Sequence, residues 1–399
     1  MSHGVYGGDI WSKGLDFCTG RYRIGIVEMR ILMASRQFWP FNGGIESASL
    51  LMAQSLVQMH HQVEVVTLDQ RIRGGQKRLP RRDQIGRIQI HRVSSLSNKY
   101  CLPIWRPPQR GYDVIHLHGI DGFLELVHWF GMEWKIPVVL HSHGLIFHTP
   151  RLLPVKNWYW QHMFSRRVRG VTVIASSVND ARKLGEIGID STVVPNPVRL
   201  IGLPLEDDRP IDFIYLGRIA QHKGLMELLQ VFKLVRQWCP KVNLVLVGED
   251  WDGTLKSLMP LPRGVTWTGV VTEAEKWSLL QSSKIAVFPS HAEGFGVAVV
   301  EALSAGALVM ANAIPAYGEI ISSEENGFLC DYRDTGTTAQ LLLRLLELDN
   351  GQRARVQANG IATASLYDPA RIANLILDLY ARAGRSDLRN GRRKYAGIR

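Results

Sequence analysis

Cysteine is scarce in this chain of 399 residues. The four present, Cys18, Cys101, Cys239 and Cys330, stand far apart and in no paired spacing. That excludes a disulfide scaffold and a cysteine-based metal motif, and it suits a reducing compartment. Also missing is any apolar run near the roughly 18 residues needed to cross a bilayer. Residues 1–28 lack the apolar core of a signal peptide and read as an N-terminal extension ahead of a cleaner start at Met29. No repeat of short period is visible. What is there is the composition of an ordinary globular protein, 46% hydrophobic and 21% charged. At this length one core does not suffice, and two domains of just under 200 residues are expected.

Charge is unevenly placed. Residues 1–199 carry a net +11, residues 200–381 a net −6 and residues 382–399 a net +6. A basic first half beside an acidic second half points to an anionic surface met by the first half, either a membrane or a nucleic acid.

The chain alternates in period. Arg30–Ala34, Val63–Leu68, Asp113–Leu117, Pro137–Leu140, Val171–Ala175 and Thr192–Pro195 read as strands, with helices at Glu46–Met59 and Lys156–Arg169. Beyond a boundary near Val198–Pro210 the alternation resumes. Asp212–Leu216, Asn243–Val247 and Lys284–Phe288 read as strands, and Gly224–Gln237 and Glu273–Gln281 as helices. Apolar strands interleaved with helices predict parallel sheets covered on both faces, so the fold class is α/β with two Rossmann-like domains. Ala364–Ala383 reads as helical, and the basic tail from Arg385 as loose.

The most informative stretch is Pro289–Gly306. It follows a buried strand, makes a tight loop through Glu293, Gly294, Phe295 and Gly296, and enters an apolar helix closed by Gly306. A strand, a glycine loop and a helix N-terminus together hold anions through free amides and the helix dipole. Glu301 lies among Val299, Val300, Ala302 and Leu303, where a bare charge is expensive unless something polar meets it. Plainer readings make Glu293 a loop acid and Glu301 a helix residue that reaches solvent.

Three further turns follow strands. Gly217-Arg218-Ile219-Ala220-Gln221-His222-Lys223-Gly224 places Arg218 and Lys223 at the edge where open α/β sheets bind ligands, and two cations there can neutralise a diphosphate. The alternative is a surface ion pair with the acidic half. Gly43 and Gly44 open a helix and let a ligand approach the backbone, or they form a plain turn with Glu46 as a first-turn acid. Ala313–Glu319 follows another strand, and Glu319 either lines the same site or caps a turn.

His116, His118, His141 and His143 end two strands, where a neutral imidazole can meet a substrate hydroxyl. The alternative is four satisfied loop histidines. Their spacing allows a zinc site, but no cysteine or acid completes it, so no metal is expected. Two segments are basic: Arg71–Arg92, and Lys156–Arg169, which interleaves aromatics with cations as a membrane interface does, or as a core-packing helix with a solvated basic end. Beyond bulk charge there is no nucleic-acid recognition motif.

Taken together, the motifs resemble retaining glycosyltransferase family 4, of GT-B fold. Glu293-Gly-Phe-Gly with Glu301 looks like its Glu-x7-Glu signature. Arg218 with Lys223 looks like its diphosphate pair, and Gly43-Gly44-Ile45-Glu46 like its N-terminal glycine loop. Val194-Pro195-Asn196 and Asn326-Gly327-Phe328-Leu329 match as well. Pro197 and Arg199 replace the family's Gly and Asp after Asn196. The resemblance covers about residues 29–383. It implies an acceptor-binding domain over 29–199, a nucleotide-sugar domain over 200–383, a cleft between them and a basic tail from 384.

By the same resemblance, Arg218 and Lys223 hold the diphosphate and Glu301 the ribose. Glu293, with the amides of Phe295 and Gly296 in the Gly294–Gly296 loop, holds the donor sugar. Gly43 and Gly44 approach the phosphates, and His143 or His118 lies near the reacting carbon and acceptor. The implied activity is retaining transfer of a hexose, a mannose among the candidates, from a nucleotide-diphosphate sugar to a saccharide or lipid-linked acceptor in exopolysaccharide synthesis. No metal or cofactor is required, and no nucleic acid is bound. The enzyme is expected in the cytoplasm, peripheral on the inner face of the plasma membrane through its basic first half. The alternatives are a non-catalytic anion- or nucleic-acid-binding protein and another GT-B-like enzyme, a phosphorylase or an epimerase.

Overall fold

The computed structural model describes residues 28–395 apart from 42, 71–77, 97–101, 105–110, 125, 127–135, 146–156 and 203–207. It divides into two compact units. One runs from Arg199 to Tyr367; the other holds the residues up to Val198 and those from Asp368 onward.

The unit that begins the chain is built on eight strands: β1 (Arg30–Ser35), β2 (Gln62–Leu68), β3 (Arg82–Ile85), β4 (Ile88–Val93), β5 (Val114–His118), β6 (Val138–His141), β7 (Thr172–Ala175) and β8 (Thr192–Val193). Their order is β3-β4-β2-β1-β5-β6-β7-β8, parallel except for β3 against β4. Strand alternation sorts the side chains onto two faces. Ile31, Met33, Val114, Val139 and Ile174 share one core with Met52 and Leu56 of α1 (Gly44–Gln58). Leu32, Ala34, Ile115, Leu117 and Leu140 face Trp160, Phe164 and Leu184. Leu184 lies on α2 (Val178–Gly185), which starts on a Ser177 N-cap.

The other unit has six strands: β9 (Ile211–Leu216), β10 (Leu244–Val247), β11 (Val265–Gly269), β12 (Ser283–Phe288), β13 (Leu308–Asn312) and β14 (Phe328–Cys330). All are parallel, in the order β11-β10-β9-β12-β13-β14. Its longer helices are α3 (Leu225–Trp238), α4 (Glu273–Gln281), α5 (Val297–Ser304), α6 (Thr335–Leu346) and α7 (Asn350–Ser365). Phe213, Leu244, Leu246, Ile285 and Met310 form one core with Leu228, Phe232 and Leu342. The strands read from the sequence as buried runs are buried, and α4 begins with a Thr272–Glu275 capping box.

Three readings change at this level. The last helix, α8 (Pro369–Tyr395), sends Ile372, Ile376, Leu379 and Tyr380 into the core shared with Met52 and Leu56. Residues 368–383 therefore belong with the first half of the chain rather than with 200–383. The same helix continues to Tyr395 through most of the tail expected to be loose; residues 1–27 and 396–399 lie outside the described residues. Second, Arg82–Val93 of the basic segment is a β3-β4 hairpin. Arg92 is buried there, donating to Asp83 at 2.8 Å and to the carbonyls of Pro80 and Trp39, so this cation is structural; residues 71–77 lie outside the described residues. Third, the aromatics of Lys156–Arg169 divide. Trp160 and Phe164 stack in the core, whereas Trp158 is 55% exposed; Lys156 lies outside the described residues.

Candidate functional site

In the 199–367 unit the candidate residues gather at the C-terminal ends of β9, β12 and β13, where a parallel sheet presents loops and helix N-termini to a ligand. β9 runs into Gly217 and a one-turn 3-10 segment, Gln221–Lys223, that closes at Gly224 with φ of 67°. A side chain at Gly224 would collide with the Pro289 carbonyl, so the chain after β9 and the chain after β12 touch backbone to backbone. That contact sets Lys223 beside Glu293: Nζ to Oε1 is 2.5 Å, with side-chain exposures of 13% and 19%.

Glu293 Oε1 also accepts from Ser290 Oγ and Tyr317 Oη, each at 3.0 Å. Burial alone would raise the Glu293 carboxyl. The Lys223 ammonium and the two hydroxyls outweigh it, so Glu293 titrates below its ordinary range and stays ionised. Burial, reinforced by Glu293, raises the Tyr317 phenol well above its ordinary value and keeps it a donor.

Helix α5 starts at Gly296, whose φ of 108° is left-handed, and no side chain caps it. The Val299 amide closes on the Gly296 carbonyl, and the positive end of the dipole at Val297 and Ala298 is left for a ligand. Gly296 is tightly held, since a Cβ there would lie 3.0 Å from Tyr317 Cε1. Gly294 is half-buried in the same loop, and Phe295 packs edge-on against Tyr367. Arg218 is exposed, its guanidinium 5.1 Å from the Trp251 ring centroid. A fixed ammonium, an exposed guanidinium and an open helix N-terminus are groups that can take up negative charge on a ligand.

Glu301 is only 8% exposed, and the polar partner its apolar surroundings demand is Lys276 on α4, at 2.7 Å. Lys276 also reaches Glu273 at 3.1 Å. Burial, with Glu273 adding to it, raises the Glu301 carboxyl despite Lys276, so it is a ready hydrogen-bond acceptor held at a fixed place. Glu319 sits half-buried at the end of the Pro315–Gly318 turn, near Tyr367. The residue of that turn that reaches Glu293 is Tyr317. Sequence reasoning passed over Lys276, Ser290, Tyr317 and Trp251; an unpaired Glu301 in an apolar helix was the one signal that a cation was missing.

In the other unit, His116 and His118 alternate on β5 and His141 pairs with His118 across β6. All three point to the face covered by α1 and α8, as Val114 and Val139 do. His143, just beyond β6, has φ of 47°, a conformation unusual for any residue with a Cβ. Its Nδ1 bonds Asn196 Oδ1 at 2.7 Å and its Nε2 bonds His118 Nδ1 at 2.7 Å. Burial holds His143 down to about 4 and the other three imidazoles well below their ordinary value, so all four are neutral at pH 7. One ring nitrogen from each of His116, His118 and His141 lies within 4.8 Å of the others, a convergence that could hold a metal and that the sequence reading had set aside. Gly43 caps α1 in extended backbone, and a Cβ there would collide with the Glu46 carboxylate, which folds back over the turn as a first-turn acid does; Gly44 is the first helical residue.

Residues 42–200 match the family model described as Glycosyltransferase Family 4, and residues 204–363 match the model described as Glycosyl transferases group 1. The chain belongs to the family 4 glycosyltransferases. A GDP-mannose:cellobiosyl-diphosphopolyprenol alpha-mannosyltransferase of Xanthomonas oryzae is 28% identical to this glycosyltransferase over 374 residues, 88% of this chain and 96% of that one. The protein of the same name from Komagataeibacter xylinus is 26% identical over 373 residues, 88% and 93% of the two chains. Among solved structures, sucrose-phosphate synthase from Thermosynechococcus elongatus superposes with a TM-score of 0.70 at 17% identity, covering 89% of this glycosyltransferase and 99% of that chain. The fold is GT-B, and the chain is an enzyme.

Proposed function

We propose that this glycosyltransferase moves a mannose from GDP-mannose to a saccharide carried on a lipid diphosphate, with retention at the anomeric carbon, in the synthesis of a surface polysaccharide. The observation that carries the diphosphate-sugar reading is the Lys223–Glu293 pair set beside the uncapped N-terminus of α5. The sugar–phosphate bond breaks with negative charge growing on the diphosphate and positive charge at the anomeric carbon. Lys223, Arg218 and the α5 amides take up the first, and Glu293 stabilises the second while accepting from a donor-sugar hydroxyl. Two cations and a helix end carry this charge without a metal on the diphosphate. A diphosphate oxygen takes the acceptor proton on the leaving-group face, which gives retention. Glu301, fixed by Lys276, accepts from the ribose hydroxyls. Both ring nitrogens of His143 are engaged, by Asn196 and His118, so its part is to fix the chain after β6 rather than to bond the acceptor itself.

The relatives' names support GDP-mannose and a lipid-linked acceptor. The exposed Trp158, with the exposed Arg166 and Arg169 further along the same segment, supports peripheral docking of the basic unit on an anionic inner leaflet. Among the described residues no helix is long and apolar enough to cross a membrane.

The test is nucleoside-diphosphate release from a panel of UDP-, GDP- and ADP-sugars with lipid-linked acceptors, and NMR of the product's anomeric proton. Turnover with GDP-mannose and an α-linkage are expected. Turnover with UDP-sugars alone would replace the donor, and a β-linkage would overturn retention.

A further inference from the structure

Three imidazoles in this fold are arranged in a way that sugar transfer does not use. Positions i and i+2 of a strand share a face, and a register partner on the neighbouring strand lies about 4.8 Å away on that face. His116, His118 and His141 occupy such a triangle, all at 2% exposure or less.

Each ring is held through one nitrogen. His116 Nδ1 bonds Tyr380 Oη at 2.7 Å, His118 Nδ1 bonds His143 Nε2 at 2.7 Å, and His141 Nε2 bonds the Val194 carbonyl at 3.2 Å. The remaining nitrogens, His116 Nε2, His118 Nε2 and His141 Nδ1, are buried and have no protein hydrogen-bond partner.

The bonds that are made fix two of the tautomers. A carbonyl only accepts, so His141 carries its proton on Nε2 and leaves a lone pair on Nδ1. Asn196 Oδ1 accepts from His143 Nδ1, so His143 Nε2 accepts from His118 Nδ1–H and leaves a lone pair on His118 Nε2. The His116–Tyr380 bond allows either direction, and the tautomer with Nδ1–H, which a metal would select, puts the third lone pair on His116 Nε2.

Three buried ring nitrogens on one face of the sheet, with no protein donor to meet them, are placed to share a cation. Imidazoles steadied at the far nitrogen by a carbonyl, a hydroxyl or a further ring are also how metal-binding histidines are oriented.

We propose that His116, His118 and His141 form a zinc site, with Nε2, Nε2 and Nδ1 as ligands and a fourth position open. Ligands of a tetrahedral zinc with bonds of about 2.0 Å lie about 3.3 Å apart. One nitrogen of each ring already lies within 4.8 Å of the others, so modest ring rotations bring the set onto an ion. Neutral imidazoles suit zinc and its congeners rather than calcium or magnesium. The ion would lock His118, and through it His143 and Asn196, in one tautomer, a role separate from the diphosphate chemistry.

The test uses the full chain stripped with a chelator and titrated with zinc by calorimetry and with cobalt by visible absorption. One equivalent of zinc and the intense visible bands of tetrahedral cobalt are expected. Both should be lost in His116→Ala and His141→Ala and retained in His60→Ala, which removes only a surface imidazole. Tyr380→Phe deletes one oxygen and should weaken zinc about 10- to 100-fold without unfolding the chain, a check that survives if the alanine variants misfold. No saturable binding, a pale octahedral cobalt spectrum, or binding that depends on His60 and not on Tyr380 would overturn the site.

Discussion

Replacing Lys223 with methionine should separate the structural from the chemical work of one ammonium. In the wild type Glu293 is ionised because Lys223, Ser290 and Tyr317 together outweigh its burial. Without Lys223 the two hydroxyls remain but the charge is uncompensated. Breaking a buried pair costs about 3–5 kcal/mol. This pair is 13% and 19% exposed, so about 2–3 kcal/mol is expected. Glu293→Gln removes the stranded charge, and the double variant should return to within about 1 kcal/mol of wild type, a coupling read from urea unfolding by tryptophan fluorescence.

The pH dependence gives the sign. Wild-type Glu293 has a lowered carboxyl, so its contribution is present above the ordinary value of 4.5 and lost as pH falls through the folded value. In Lys223→Met burial raises the carboxyl instead, so the variant's deficit should be largest at pH 7 and shrink towards pH 5. Activity should behave differently: turnover should fall about 100- to 1000-fold in both the single and the double variant, because the cation on the diphosphate is gone in each. A deficit independent of pH, with no rescue by Glu293→Gln, would refute the electrostatic reasoning. Full turnover in Lys223→Met would refute the role on the leaving group.

Glu301→Gln should raise the donor KM about tenfold with little change in melting temperature, because Lys276 keeps Glu273 at 3.1 Å; steady-state kinetics beside a thermal melt checks it. The four buried histidines favour the neutral form, so their stabilisation is complete above the ordinary value of 6.5 and drains away as pH falls from there towards about 4. Calorimetry of chelator-treated protein should therefore show Tm dropping between pH 6.5 and 5, with a shallower drop in His143→Gln, and a flat Tm would contradict it. Gly224→Ala should cost about 2–3 kcal/mol in urea unfolding, since it adds strain at φ of 67° to a collision with the Pro289 carbonyl. A loss below about 0.5 kcal/mol would mean that the two loops are not in contact.

What could be read from the residues was what local sequence determines. The strand, loop and helix through Glu293, Gly296 and Glu301 were legible because an apolar run, two glycines and a helical apolar stretch each act within a few residues. The β3-β4 hairpin was not, because its alternating Ile85, Ile88 and Ile90 are diluted by arginines that the fold turns inward or to the rim. The destination of α8 was equally hidden: its stripe of Ile372, Ile376 and Tyr380 fits any apolar face, and only the tertiary fold brings Tyr380 to His116 across 264 positions. The partners of the candidate acids followed the same divide. Glu301 announced that it needed a cation, but nothing local names Lys276, 25 positions away on another helix. Tyr317 read as part of a turn until the fold pointed its hydroxyl at Glu293.

The central claim is that one ammonium, one guanidinium and the start of α5 cradle a departing diphosphate. A crystal structure of the chain with a nucleoside diphosphate tests it most directly. Phosphate oxygens within about 3 Å of Lys223 Nζ and of an amide in the first turn of α5, with Arg218 turned onto the same group, are expected. A diphosphate bound elsewhere, with Lys223 still engaged only by Glu293, would contradict it.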